Sequence, residues 1–262
     1  MLRILYGEAG TGKSAAIMDE IRRSEGSEVR CILLVPEQYS HEAERELCSV
    51  CGDGLSLYAE VLSFTGLARE VSAECGGTAE EFLDKGGRLL CMALAADGLY
   101  SRLRVYGAAR HRAEIQTMLL GAVDELKSAC VTSEQLLAAA DSCEGALGDK
   151  LFDLGLILEA YDGVVANGSA DPADRLSVLA GQIERSSIGA DTHVFVDGFT
   201  DFTAQERRVL EALMLSGAYL TVCLSCDELG EGSEVFALGR ITASALLRFA
   251  ADNGIETEKT RW

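Results

Sequence analysis

The sequence predicts an α/β fold with a parallel sheet, interrupted by a helical insertion. Short apolar runs alternate with segments of helical spacing at both ends of the chain, which is typical of a parallel sheet covered by helices. The middle of the chain contains no predicted strand. We therefore expect a first part of the α/β core at residues 1–75, a helical subdomain at 76–185, and the second part of the core at 186–262.

The predicted strands are short apolar runs that end at glycine, proline or polar residues. They are Leu2–Tyr6, Arg30–Val35, Leu55–Leu62, His193–Val196 and Tyr219–Leu224. Apolar residues three or four positions apart predict the helices. Those of the core are Lys13–Arg23, Glu42–Leu47 capped by Ser40, Phe64–Ala73, Thr203–Leu215 and Ile241–Ala251. Those of the insertion are Phe82–Ala95, Ile115–Leu126, Leu136–Ala140 behind a Thr132/Gln135 capping box, Leu151–Val165 and Leu176–Ile183, with Asp171-Pro172 marking a helix start.

The charge and cysteine content narrow the class of protein. A formal net charge of −19 works against any broad attraction to nucleic acid. No apolar run is long enough to span a bilayer, so we expect a cytoplasmic protein without a membrane anchor. Two of the nine cysteines form Cys48-x-x-Cys51 and two form Cys223-x-x-Cys226, but no histidine lies at ligand spacing, so free thiols are favoured over a metal site.

The Gly7–Ser14 segment (GEAGTGKS) fits the phosphate-loop pattern at every fixed position. It lies between a predicted buried strand and a predicted helix, which is the context that the motif requires. Its glycines let backbone amides turn inward around the phosphates of ATP. The residues expected to hold the nucleotide are Gly7, Gly10, Thr11, Gly12, Lys13, which would reach the β- and γ-phosphates, and Ser14, which would bind Mg²⁺.

A second ligand for Mg²⁺ is predicted at the end of the His193–Val196 strand. Asp197 follows that strand directly, where phosphate-loop proteins place a magnesium-binding carboxylate. An aspartate in such a position can also cap a helix or a turn. The phosphate loop upstream favours the magnesium role, with Ser14 and Asp197 as the metal site.

Four segments together resemble the AddB (RexB) family, a subunit of the AddAB helicase–nuclease of bacterial double-strand-break repair. They are Gly7–Ser14, Leu34–Ser40 (LVPEQYS) with Glu42–Glu44, Val61–Ala68 (VLSFTGLA), and Val196–Phe202 (VDGFTDF) with Thr203–Glu206. The resemblance implies a RecA-like first domain of superfamily-one helicases, domain 1A, with a 1B-type helical insertion. It also implies that the chain is the N-terminal part of a longer subunit, whose nuclease domain and iron–sulfur cysteines lie outside it. The implied partner is an AddA-type helicase–nuclease subunit, with DNA bound through the full complex.

One departure from active helicases of this superfamily concerns hydrolysis. Their segment carries a glutamate directly after the aspartate and a glutamine two places further on, and here those places hold Gly198 and Thr200. Glycine has no side chain to act as a base. Asp201 and Glu206 are more simply explained as caps of the Thr203–Leu215 helix. We therefore expect ATP binding without rapid hydrolysis.

Candidates for DNA contact fall into two groups. The first follows strands at the edge where this type of fold meets single-stranded DNA, with capping and packing as the alternative role. Its members are Gln38, Tyr39, Ser40, Ser63, Phe64 and Thr65. The second is a basic cluster, for which a solvated helix face is the alternative. Its members are Arg102, Arg104, Arg110, His111 and Arg112.

Two other functions are compatible with the sequence. A small-molecule kinase would use the same Gly7–Ser14 segment, although the long insertion and the Asp197-Gly198-Phe199 segment argue against it. A structural module with a vestigial nucleotide site would keep the fold but would no longer bind nucleotide.

Overall fold

The computed structural model describes residues 1–76, 82–168 and 170–262. Its contacts divide the chain into two units. Met1–Gly77 and Leu176–Trp262 form the first, which we call the α/β unit, and Thr78–Arg175 form the second, which we call the helical unit.

A six-stranded sheet organises the α/β unit. Its strands are β1 (Leu2–Gly7), β2 (Arg30–Leu34), β3 (Ala59–Leu62), β4 (Thr192–Val196), β5 (Tyr219–Ser225) and β6 (Thr257–Arg261). They lie in the order β3-β2-β4-β5-β1-β6, and every neighbouring pair is parallel. The fold is therefore α/β with a parallel sheet, as predicted, and is consistent with a RecA-like domain.

Helices cover both faces of this sheet. The helices of the α/β unit are α1 (Lys13–Arg23), α2 (Ser40–Cys51), α3 (Phe64–Glu74), α8 (Arg175–Gln182), α9 (Ala204–Leu215) and α10 (Ala237–Asp252). Along β2, Ile32 packs into the core beneath α3, α9 and α10, whereas Leu33 packs into the core beneath α1 and α2. Both faces are buried, which explains why the strands are continuous apolar runs.

The structure corrects three expectations about local elements. The third strand begins at Ala59 because Gly52–Leu57 form a 3₁₀ helix. Ser40 does not cap α2: it is the first helical residue, and its hydroxyl donates a hydrogen bond to the Glu37 carbonyl oxygen. The last strand, β6, was not expected, since its residues are mostly charged and exposed.

The helical unit contains α4 (Lys85–Gly98), α5 (Ala113–Ser128), α6 (Ser133–Asp141) and α7 (Gly145–Val165). They enclose their own apolar core, in which Tyr161 is fully buried. The predicted capping box at Thr132 and Gln135 is present. Asp171 accepts a hydrogen bond from the Ala173 backbone, so the predicted helix start there is a short 3₁₀ turn. Among the described residues, no helix has the length and hydropathy needed to cross a membrane.

Candidate functional site

The Gly7–Ser14 loop lies at the carboxyl edge of the sheet, between β1 and α1. Gly10 and Gly12 have φ values of 79° and 91°. This left-handed conformation strains any residue with a side chain, which explains the glycines at these two positions. The loop therefore turns back sharply to begin α1 at Lys13.

The Lys13 ammonium group lies inside this loop. The residue is only 7% exposed, and its Nζ donates hydrogen bonds of 2.9 and 2.6 Å to the carbonyl oxygens of Gly7 and Glu8. The Thr11 hydroxyl lies 3.4 Å from the same ammonium and bonds back to Glu8. The loop thus holds a positive charge within its own turn, where an anion bound to the loop would meet it.

The start of α1 adds further donors. No side chain caps the helix, since Gly12 is the capping residue and the first turn has no acidic residue. The first backbone N–H groups of a helix have no intrahelical acceptor, and the helix dipole favours negative charge there. The helix amides and Lys13 together make a site suited to phosphate groups.

Asp197 lies across β5 from this loop. It follows β4, and its backbone N–H donates a hydrogen bond to the Leu34 carbonyl oxygen at the end of β2. Cys223 follows Val222 on β5, and the register sets Val222 opposite Val196, so Cys223 lies beside Asp197; the Lys13 charge also acts on its thiol. Burial, with Asp197 as the next cause, raises the pKa of Cys223, so this group stays a thiol. The charges of Asp197 and Lys13 therefore both act on Cys223, which lies on the strand between β4 and β1.

The oxygen donors at this edge suit magnesium. Ser14 is exposed in the first turn of α1, and Asp197 is partly buried at the end of β4. A hydroxyl, a carboxylate and phosphate oxygens are ligands that Mg²⁺ prefers, with water completing an octahedron. Both predicted metal ligands thus lie at the same edge of the sheet.

The cysteine pairs form no such cluster. Cys223 is buried beside Asp197, and the Cys226 thiol donates a hydrogen bond to the Glu228 carbonyl oxygen at 2.8 Å. In the described part of the chain, no group of three or more histidine, cysteine or acidic residues is arranged to hold a metal ion.

The residues of the first group of candidates for DNA contact differ in how far their side chains are buried. Ser63 caps α3 by accepting a hydrogen bond from Gly66, and Phe64 is buried against Phe199 and Phe202. Capping and packing therefore account for these two residues. Gln38, Thr65 and Tyr39, which is 49% exposed, present their side chains to solvent. Ser40 is partly buried.

The residues of the basic cluster differ in whether they form ion pairs. Arg104 pairs with Asp149 and lies over the Phe152 ring; Arg110 pairs with Asp97 and lies over the Tyr100 ring. His111 approaches Asp97 as well, at 3.7 Å. Arg102 and Arg112 are exposed and form no ion pair with any described residue. These two are therefore the freest positive charges of the cluster.

Sequence reasoning missed two residues of the loop's surroundings. In the sequence, Cys223 is noticeable only as one half of a Cys-x-x-Cys pair. Its place beside Asp197 comes from the pairing of β4 with β5, whose register sets Val222 opposite Val196. Trp262 follows β6, and its indole lies against Gly12. No local pattern signals either contact, because both come from strand pairing.

Comparison with known proteins supplies the family. The model of the family described as "ADDB, N-terminal" matches residues 4–262. The chain belongs to the AddB N-terminal family. Its curated relatives include the B subunits of the ATP-dependent helicase/deoxyribonuclease from Clostridium kluyveri, 30% identical, from Thermoanaerobacter sp. strain X514, 32% identical, and from Heliobacterium modesticaldum, 35% identical.

The alignments cover 98% of this chain but only 22–23% of those relatives. The chain thus spans less than a quarter of their length. The resemblance seen in the sequence is confirmed, and the names of the relatives describe them as one subunit of a larger enzyme.

Proposed function

We propose that this chain is the Mg·ATP-binding N-terminal domain of an AddB-type subunit, with the Gly7–Ser14 loop acting as a P-loop. The observation that carries the proposal is the buried Lys13 ammonium, which is held inside the loop by the Gly7 and Glu8 carbonyl oxygens, with Asp197 at the end of β4 on the other side of β5. Exposed Ser14 and the uncapped start of α1 complete the set of groups.

The proposed domain binds ATP and hydrolyses it slowly. Glycine occupies the place after Asp197 where active relatives of the superfamily hold a glutamate base. The Glu206 carboxylate is engaged in the capping box with Thr203, so it does not replace that base.

The whole protein, in this proposal, works in bacterial double-strand-break repair and recombination with an AddA-type partner that supplies most of the motor activity. The names of the relatives, which describe a subunit of a helicase/deoxyribonuclease, support this assignment. DNA reaches this chain through the full complex, since the chain itself carries 42 acidic and 23 basic residues.

Calorimetry of the 262-residue chain with Mg·ATP tests the binding proposal. Lys13→Ala should weaken affinity by about 10- to 150-fold, because each hydrogen bond to a charged group contributes roughly 1.5–3 kcal/mol. Lys150→Ala, an exposed lysine of the helical unit, is the matched control and should bind as the wild type does. Equal affinities of wild type and Lys13→Ala, or no binding by the wild type, would refute the proposal and favour a vestigial site.

A further inference from the structure

Trp262 touches the Gly7–Ser14 loop from the side opposite Asp197. It follows β6, the edge strand beside β1, and its backbone N–H donates a 2.8 Å hydrogen bond to the Tyr6 carbonyl oxygen. Its own carbonyl oxygen occupies the space that a Cβ atom on residue 7 would need. The absence of a side chain at Gly7 thus lets Trp262 pack directly beside the loop.

The indole of Trp262 reaches the other end of the loop. Its Nε1 lies 3.7 Å from the position that a Cβ atom on Gly12 would take. A large aromatic surface with one polar donor therefore lies beside the loop.

The sheet order decides which part of a nucleotide would meet this surface. β1 lies between β5 and β6, so Asp197 and Trp262 are on opposite sides of the loop. If Mg²⁺ is held by Ser14 and Asp197, the terminal phosphates would lie toward β5. The nucleoside, attached at the other end of the phosphate chain, would then leave the loop toward β6.

We propose that Trp262 contacts the nucleoside of the bound nucleotide, through its ring face or its indole N–H, and so distinguishes a nucleotide from a bare polyphosphate. This inference rests on the proposed ATP-binding function and adds a specificity-determining residue to it. An aromatic side chain suits the role because it offers a flat apolar surface and one polar donor.

Calorimetry on the 262-residue chain can compare two probes, Mg·ATP and magnesium with inorganic triphosphate. Trp262→Ala should weaken ATP binding about ten-fold, the scale of aromatic–base contacts, and leave triphosphate binding unchanged. Trp262→Phe should keep most of the ATP affinity. Equal losses for both probes, or no loss for ATP, would overturn the inference, since Trp262 would then only support the loop or play no part.

Intrinsic fluorescence gives a second measurement that needs no variant. Trp262 is the only tryptophan in the sequence, so a change in tryptophan emission reports this residue. Emission should change with ATP and much less with triphosphate; equal changes, or none, would contradict a nucleoside contact even if Trp262→Ala did not fold. Binding of neither probe by the wild type would overturn the ATP-binding proposal itself, and the role of Trp262 with it. Binding of both probes that depends on Lys13 but not on Trp262 would overturn only the inference.

Discussion

The backbone conformation at Gly198 limits which residues this position can hold. Its φ is +81°, and a Cβ atom there would lie 3.3 Å from the Pro36 ring. A left-handed backbone costs a residue with a side chain about 1–2 kcal/mol. The backbone of this chain therefore disfavours a glutamate at the position where active helicases of the superfamily hold one.

Introducing a glutamate at position 198 should not produce rapid ATP hydrolysis. We expect low turnover from the wild type, since loss of a catalytic base costs about 10²–10⁴ in rate. Gly198→Glu should lower the free energy of unfolding without raising phosphate release, measured against Lys13→Ala as background. The matched control is Gly26→Glu, at a φ of +77° with nothing within 4 Å, which should show the backbone effect alone. A rate gain of about 100-fold in Gly198→Glu would contradict this interpretation.

His193 is a buried neutral histidine in the middle of the sheet. Its ring stacks between Phe195 and Tyr219, and its Nε2 lies 2.8 Å from the Thr221 hydroxyl oxygen. Burial, together with the positive charge of Arg3, lowers the pKa of His193 from 6.5 to about 3. The folded state thus binds a proton less readily than the unfolded state does.

The α/β unit should therefore lose stability in acid. The contribution of His193 is complete above pH 6.5 and is lost as the pH falls toward 3, because only the unfolded state gains the proton in that range. Between about pH 7 and about pH 5, the wild type should lose roughly 2 kcal/mol more than His193→Gln, which stays neutral. Urea unfolding followed by Trp262 fluorescence measures this difference. Identical pH dependence of the two proteins would show that His193 does not titrate as argued.

At the scale of elements, a buried charge network holds α5 and α7 to the turn at Asp171. Lys127 on α5 has a side chain only 6% exposed and binds Asp162, Asp174 and Asp171, the last fully buried, at 2.7 to 3.1 Å. Burial by itself lowers the pKa of Lys127, but these carboxylates outweigh it and raise the pKa. On Asp171 the opposing effect of burial is likewise outweighed, and its pKa is lowered by the Ala173 backbone N–H and by Lys127.

Breaking this network should destabilise the helical unit strongly. Lys127→Ala leaves Asp171 without its ammonium partner, and removing one member of a buried pair costs about 3–5 kcal/mol. Lys150→Ala, an exposed lysine on α7, should change the free energy of unfolding by less than about 0.5 kcal/mol. Urea unfolding followed by circular dichroism tests both variants. A loss below about 1 kcal/mol for Lys127→Ala would mean that Arg88, which also pairs with Asp171, compensates the charge.

At the scale of the whole molecule, net charge governs DNA binding. A formal charge of −19 repels phosphate backbones, and affinity for DNA comes largely from lysine and arginine that release counterions. Within the basic cluster, Arg104 and Arg110 are already paired with aspartates, which leaves Arg102 and Arg112 as the main contributors.

Binding of single-stranded DNA by the isolated chain should be weak and strongly dependent on salt. Replacing Arg102 and Arg112 by alanine should reduce the slope of log affinity against log salt by about 1.4, or about 0.7 for each phosphate that is no longer neutralised. The double variant Arg104→Ala with Arg110→Ala is the control and should reduce it less. Fluorescence anisotropy on a labelled oligonucleotide provides the slopes. Tight DNA binding that survives removal of all four arginines would refute both the prediction of weak binding and the assignment of DNA contact to the basic cluster.

The sequence by itself determined the features that are local. The phosphate-loop pattern at Gly7–Ser14, the capping box at Thr132 and the apolar strands were predicted from neighbouring residues, because dihedral preferences and side-chain periodicity act over a few positions. The family resemblance drew on the same short segments and is confirmed over residues 4–262.

Tertiary structure alone decided the features that depend on strand pairing. β6 is charged and exposed, so no hydrophobic period signals it; it is a strand because β1 offers an open edge whose backbone groups need partners. The same pairing brings Trp262 to the loop, and the register of β4 with β5 brings Cys223 to Asp197. Hydrogen bonds between strands far apart in the chain set these contacts, and local propensity carries no record of which strands will be neighbours.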